Sequence, residues 1–323
     1  MSSPPPPSSY SNLFPGGHIK IKHVPASSPT PTPVLLLILN RPDKRNAFTG
    51  LMQQQISAFY ALIEHDVRVK CVVLMGAGDK AFCAGADLEI GFLGGASKTG
   101  AATAQNAKKE RDVDHRDGGG KASLAIYHSS KPTIAAINGA AVGVGITMTL
   151  PCAIRVVYKK AKVGFVFSQR GLIMEAVSSF FLPRLIGTSR AIHLTTTGSV
   201  YEASNPLFGH LFSETCDTPD ATVQRALEIA DQVAKQTSTI STKLMRDLMY
   251  RGPTTAEETH LLDSRVIFGL FGGKDNLEGV KSFFEKRPGK FTGQFPEDAP
   301  AAYPWWAPVD FREPARGGHT SKL

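Results

Sequence analysis

The amino-acid sequence predicts an α/β protein, and three observations carry that prediction. VLLLILN (34–40) and CVVLMG (71–76) are continuous apolar runs of strand length, the pattern of strands covered on both faces. Between them, Thr49 is placed to cap a helix running to about Glu64, which makes a β-α-β unit. From Pro219 onward the sequence turns almost wholly helical, with amphipathic segments at 221–235, 240–249, 255–271 and 277–286.

Taken in order, residues 1–17 are rich in Pro and Ser and include a PPPP run, so they are expected to form a disordered leader with too little apolar surface to offset ordering. The leader has neither the charged-then-apolar pattern of a secretory signal nor the arginines of a transit peptide. HIKIKHV (18–24) alternates like an edge strand, and RPDKRNAF ends the 34–40 strand in a turn. In the helix that follows, Leu51, Ile56, Phe59, Leu62 and Ile63 are expected on the inner side. After the 71–76 strand, GAGDKAFCAGADL brings small residues at 84–86, where a backbone can approach a ligand closely. Asp87 is placed to cap a helix beginning near Leu88. Residues 91–121 mix Gly, Ala, Lys and Asp with little periodicity and read as a long loop that can cover a ligand pocket.

The stretch 131–184 is the one the chain is organised around. It reads as a buried strand (132–137), a glycine-punctuated turn, a helix opening near Gly143, further strands, and a second turn that delivers a lone acid, Glu175, to an apolar helix start. A helix N-terminus offers unpaired N–H groups to an anion, and a carboxylate at the head of an apolar segment is costly to bury without a partner or a task. Together they suit a site that stabilises an oxyanion and moves a proton beside it. The bland reading of Glu175 is an acid favoured by the helix dipole.

Composition narrows the function classes. The 323 residues are 42% hydrophobic, enough for one large core with appendages, and no apolar run reaches the roughly 18–20 residues of a membrane span. Cys71, Cys83, Cys152 and Cys216 lie apart in apolar surroundings and read as buried thiols of a reducing compartment, with neither a disulfide framework nor a metal site. The net charge of +8 is dispersed over short groups such as Lys44-Arg45 and Lys286-Arg287, and no nucleic-acid motif accompanies it. A ligand with several separate phosphates fits that dispersion better than nucleic acid, although solvated faces account for most of the lysines. Gly139, Gly143 and Gly145 do not form GxGxxG, and there is no GxxxxGK[ST] and no GxSxG.

AFCAGADL, NGAAVGVGITMTLPCAIRVV and GLIMEAVSSFFLPRLIG together resemble the crotonase superfamily of enoyl-CoA hydratases and isomerases. The resemblance runs from about Val34 to Phe291, with NRPDKRNAF near its start and DNLEGVKSFFEKRPGKF at its end. It implies a spiral of ββα units forming two stacked sheets (18–218), a helical C-terminal region (219–291) used in trimerisation, and a tail (292–323), the assembly being a homotrimer or a hexamer.

It further implies an acyl-CoA thioester as substrate, with coenzyme A a part of the substrate and no separate cofactor or metal. The backbone N–H groups of Ala86 in CAGAD and Val144 in AVGVG match the family's oxyanion hole. Removing one such donor costs roughly 3–4 kcal/mol in other enzymes. The two glutamates of typical hydratases are replaced here by Thr147 and Phe167, neither of which can act as a base. Glu175 in GLIME is what remains, similar to the single glutamate of Δ3,Δ2-enoyl-CoA isomerases. One carboxylate lying over C2 and C4 can remove a proton from one and return it at the other, so double-bond migration is the first expectation. A 2-enoyl-CoA hydratase and a non-catalytic acyl-CoA-binding subunit are the alternatives. For the CoA moiety the resemblance implies Lys44, Arg45, the segment Ala84, Gly85, Asp87 and Leu88, and Lys286. The sequence finishes on Ser321, Lys322 and Leu323, a tripeptide that serves as a peroxisomal address, so peroxisomal residence and an import receptor as partner are expected.

Overall fold

The computed structural model describes residues 5–89 and 112–312. The tripeptide 321–323 and most of the 91–121 stretch lie outside them, as does the course of any helix beyond Glu89.

Two sheets organise the chain. The larger has six strands in the order β1 (Ile19–His23), β2 (Val34–Leu39), β3 (Cys71–Gly76), β5 (Thr133–Ile137), β7 (Ile154–Tyr158) and β10 (Glu214–Cys216). The smaller has four short strands in the order β4 (Ala81–Cys83), β6 (Ala140–Val142), β8 (Lys162–Gly164) and β9 (Val200–Glu202). Each turn of the chain adds one strand to each sheet, β3 then β4, β5 then β6, β7 then β8, which is the ββα spiral. Strands β2, β3, β5 and β7 are parallel and almost wholly buried, as continuous apolar runs require. β1 closes one edge antiparallel and alternates buried and exposed residues along its length.

The corners between sheets are tied by amide side chains. Asn138 accepts from Gly76 N–H (3.0 Å) and donates back to Gly76 C=O (2.9 Å), so the β5–β6 corner is pinned to the β3–β4 corner. Gly139 is needed there, because a Cβ would lie 2.9 Å from Ala81 Cα.

Helix α1 (Gly50–Glu64) is capped by Thr49, whose side chain accepts from Met52 N–H. Its buried face is Met52, Gln55, Ile56, Phe59, Tyr60 and Ile63. Leu51, expected inward, is exposed, and Met52 one position on takes its place at the i, i+4 spacing to Ile56. Helix α2 (Gly118–His128) begins inside the stretch 91–121 that reads as loop, and it packs on α1. The four-residue α3 (Val144–Thr147) follows β6, and α4 (Ser178–Ile186) and α5 (Thr188–Thr197) lead to β9. The C-terminal helices α6 (Pro219–Gln236), α7 (Thr239–Arg251), α8 (Ala256–Phe268) and α9 (Lys274–Phe284) match the four amphipathic segments. Among the described residues no helix is long and apolar enough to cross a membrane.

The expectation of a disordered leader does not describe residues 5–17. Tyr10 is fully buried, packs edge-on against Phe59 and donates its hydroxyl hydrogen to Asp66 (2.9 Å), while its own N–H reaches His23. The buried ring contributes a large apolar area, and Leu13 and Phe14 pack on the same core, which fixes an otherwise polar stretch.

Candidate active site

Two neighbouring turns form one wall of the site. Strands β4 and β6 run parallel with Cys83 beside Ala141, so the chain leaves both in the same direction. A Cβ placed on Gly143 would come within 3.9 Å of Gly85 Cα, so the two turns touch. In each, a glycine with positive φ, Gly85 (101°) and Gly143 (55°), redirects the next peptide. The following residues are Ala86 and Val144. Phe48 pairs with the chain on either side of Ala86, donating to Gly85 C=O (2.8 Å) and accepting from Asp87 N–H (2.9 Å), which leaves the Ala86 N–H facing away from it. Val144 opens α3, where an N–H has no helical partner. Among the described residues neither the Ala86 nor the Val144 amide donates to a protein acceptor. Gly145 lets α3 sit on β4, since a Cβ there would be 2.1 Å from Cys83 C=O.

The turn at 84–88 is held from below by the segment 41–48. Arg41 pairs with Asp87 at 2.8 Å and donates to Ala47 C=O, both charges being largely buried. Asn46, fully buried, donates to Ala77 C=O and Ala81 C=O at 2.9 and 2.8 Å. Asp87 also accepts from Glu89 N–H (3.0 Å), the local bond expected of a capping acid. The signals for Arg41 and Asn46 lie in NRPDKRNAF, where a polar run directly after a buried strand has to satisfy the strand end.

Glu175 stands in the turn before α4 and not in its first turn. The two residues after it, Ala176 and the β-branched Val177, are both left-handed (φ 59° and 57°), a conformation that costs on the order of 1–3 kcal/mol each and clusters at functional turns. The side chain points into the protein. Its Oε1 accepts from Thr147 Oγ1 at 2.8 Å, and its Oε2 fills the space over Gly119, where a Cβ would come within 1.6 Å. Thr147 is the last residue of α3 and Val144 the first, so the hydroxyl that holds the carboxyl and one free amide belong to the same helical turn.

Asp117 is the residue the sequence reading missed. It caps α2, accepting from Gly120 N–H, and also accepts from Ala176 N–H (3.3 Å), while its carboxyl meets that of Glu175. The signal was present as an acid three residues before Gly120 and ahead of the apolar run ASLAIY, but three consecutive glycines read as loop. Burial raises the Glu175 carboxyl from 4.5 to about 8; the Thr147 hydroxyl opposes that rise and the charge and contact of Asp117 add to it. Phe167, at the second hydratase glutamate position, packs on the core.

Of the residues implied for CoA, Lys44, Arg45, Ala84, Gly85, Asp87 and Leu88 are brought together. Arg45 C=O accepts from Ala84 N–H (3.0 Å), and Lys44 pairs with Glu89 at 2.7 Å on the exposed rim. Lys286 is not brought to them within the chain. It follows α9, where Phe291 C=O takes Lys70 Nζ at the start of β3, whereas the site opens beyond the far ends of β4 and β6. Two residues past Glu175, a largely apolar open cavity of about 250 Å³ lies between α2, α4 and α7, lined by Leu124, Tyr127, Val177, Phe180 and Tyr250, with Arg251 at its edge.

The family model described as enoyl-CoA hydratase/isomerase matches residues 30–294. An enoyl-CoA hydratase of Alternaria alternata is 45% identical over 266 residues, covering 82% of this chain and 85% of that protein. A 1,2-epoxyphenylacetyl-CoA isomerase of Escherichia coli is 30% identical, covering 81% of this chain and 95% of that one. Among solved structures, an enoyl-CoA hydratase from Bacillus anthracis superposes with a TM-score of 0.72 at 26% identity, over 86% of this chain and all of its own.

Proposed function

Since the chain belongs to the enoyl-CoA hydratase/isomerase family, we propose that it moves the double bond of a 3-enoyl-CoA to the 2-position, with Glu175 as the only proton carrier. The observation that carries this reading is the contact between Thr147 and Glu175: where a hydratase glutamate is expected, a hydroxyl donates to the Glu175 carboxyl. In this reading the Ala86 and Val144 amides hold the thioester oxygen. Glu175, ionised, takes a proton from C2, and the electrons move onto that oxygen as a dienolate. The same carboxyl then returns the proton at C4. The charge develops where two fixed dipoles already point, worth roughly 3 kcal/mol per donor. The acyl chain beyond C4 has the apolar cavity between α2 and α4 to enter.

Hydration of a 2-enoyl-CoA is the second reading, favoured by the second carboxyl at Asp117 and by the activity for which the Alternaria alternata relative is named. Purified protein given a 3-enoyl-CoA and a 2-enoyl-CoA in parallel separates them. Isomerisation abolished by Glu175→Gln supports the first. Water addition alone, with no isomerisation, sinks it, and CoA-ester binding without turnover of either substrate leaves an acyl-CoA-binding subunit. Peroxisomal residence is a separate proposal resting on Ser321-Lys322-Leu323. A fluorescent fusion that stays diffuse with those residues free at its carboxy terminus would defeat it.

A further inference from the structure

Asp117 does more than an N-cap needs. A cap requires one acceptor for an N–H of the first turn, which Ser, Thr or Asn supplies equally well. Here the carboxylate accepts from two main-chain amides of different segments, Gly120 N–H at the head of the eleven-residue α2 and Ala176 N–H in the turn before α4. Both favour negative charge at that position. The same carboxyl touches Glu175, and Gly119 between them has no room for a side chain, as a Cβ would sit 1.6 Å from Glu175 Oε2. Among the described residues the groups facing Glu175 are Asp117 from α2, the neutral hydroxyl of Thr147 from α3, and the buried Cys83 thiol of β4, itself pushed up to about 12 by burial first and by Glu175 to a smaller degree. A carboxyl in contact with a largely buried one opposes its ionisation.

We propose that Asp117, fixed by two main-chain amides against the Glu175 carboxyl, is a positioning residue that sets the pH at which Glu175 becomes a base. This rests on the reading of Glu175 as the proton carrier. The proton balance is simple. Glu175 loses its proton to water, takes the C2 proton of the substrate beside Asp117, and delivers that proton to C4, which leaves it the carboxylate it was. The repulsion makes Glu175 a stronger base than burial alone would.

The test uses Asp117→Asn, which keeps the cap and the shape and removes the charge, with Asp117→Ser as a second neutral cap. The carboxyl titration of Glu175 is followed by ¹³C NMR in the intact protein, assigned by its loss in Glu175→Gln, together with the pH profile of kcat/KM. The pair predicts that the Glu175 midpoint falls by about one pH unit in either neutral variant, a tenfold larger ionised fraction near pH 6.5, and that the acid limb of the rate profile moves with it. Midpoints equal to wild type in whichever variants fold overturn it, since loss of a cap alone lowers stability and leaves the midpoint in place. Because the NMR titration needs no turnover, an enzyme inactive on both enoyl substrates would end the functional reading and still decide this one.

Discussion

Glu175 holds its proton at pH values where an ordinary carboxyl is ionised, and that has a cost in stability as well as a use in catalysis. Burial raises it from 4.5 to about 8, so between those values the native state binds a proton that the unfolded chain has released. Stability therefore falls as pH rises from about 4.5 to about 8 and is level above. Glu175→Gln, which cannot ionise, should gain on wild type over that window by up to about 4 kcal/mol after discounting for partial solvation. Denaturant midpoints of both proteins at pH 5 and pH 8.5 measure it, and an unchanging difference would place the carboxyl in ordinary solvent. Thr147 works in the opposite sense. Its hydroxyl stabilises the ionised carboxylate, so Thr147→Val should push the activity limb to higher pH and lower the rate at pH 7 by roughly tenfold, about the worth of a hydrogen bond to a charge. Activity against pH from 6 to 10 reads this directly. Glu175 was legible in the sequence because an acid stood alone in an apolar stretch. Asp117 was not, since its partner is 58 residues away and no local pattern announces a contact between two acids.

Among the elements, β2, β3 and β5 were legible as apolar runs because parallel strands buried on both faces leave no alternation to interpret. The three-residue strands β4, β6 and β8 span barely one and a half periods of strand alternation, so only the family resemblance implied the second sheet. Helix α2 was hidden by Gly118, Gly119 and Gly120, poor helix formers present because Gly119 yields space to Glu175 and Gly120 to Asp117. The tail was equally opaque. Its aromatics turn back over α7: Tyr303 donates to Asp247 (3.2 Å), Trp305 Nε1 donates to Arg251 C=O (3.0 Å), and Arg251 lies 4.3 Å from the Trp306 ring. Farther on, Arg116 Nε donates to Phe311 C=O (3.0 Å), which brings the strap to the residue before Asp117. Beneath it Lys243 and Asp247 form a buried pair at 2.9 Å, and burial lowers the lysine to about 8. Asp247→Asn would leave that ammonium without its anion and should cost about 3 kcal/mol in equilibrium unfolding. A loss under about 0.5 kcal/mol would mean the pair does no more than break even with its desolvation.

At the scale of the whole molecule, the described residues leave the last two helices uncovered on one side. Phe268, Phe283 and Phe284 are each more than three-quarters exposed, and Leu261, Phe271, Leu277 and Val280 add to the same region. Aromatic and aliphatic side chains in that number are far beyond the scattered apolar residues normal on a monomer. The buried core already closes over both sheets without them, so we propose that copies of this chain cover these helices, as a homotrimer or a hexamer. Lys286 belongs to the same argument. It follows α9 and lies away from Lys44 and Arg45 within the chain, so it can serve a CoA phosphate across a subunit boundary. Placing charge at two of the exposed rings, Phe268→Asp with Phe284→Asp, should reduce the sedimenting species to one chain, because burying two unpaired carboxylates costs several kcal/mol per interface. If Lys286 acts from a neighbour, that variant and Lys286→Ala should raise KM for a CoA ester by a similar factor, on the order of three- to tenfold, with kcat changed less. A double variant that sediments like wild type would remove these helices from the assembly, and an unchanged KM in Lys286→Ala would remove Lys286 from the CoA site.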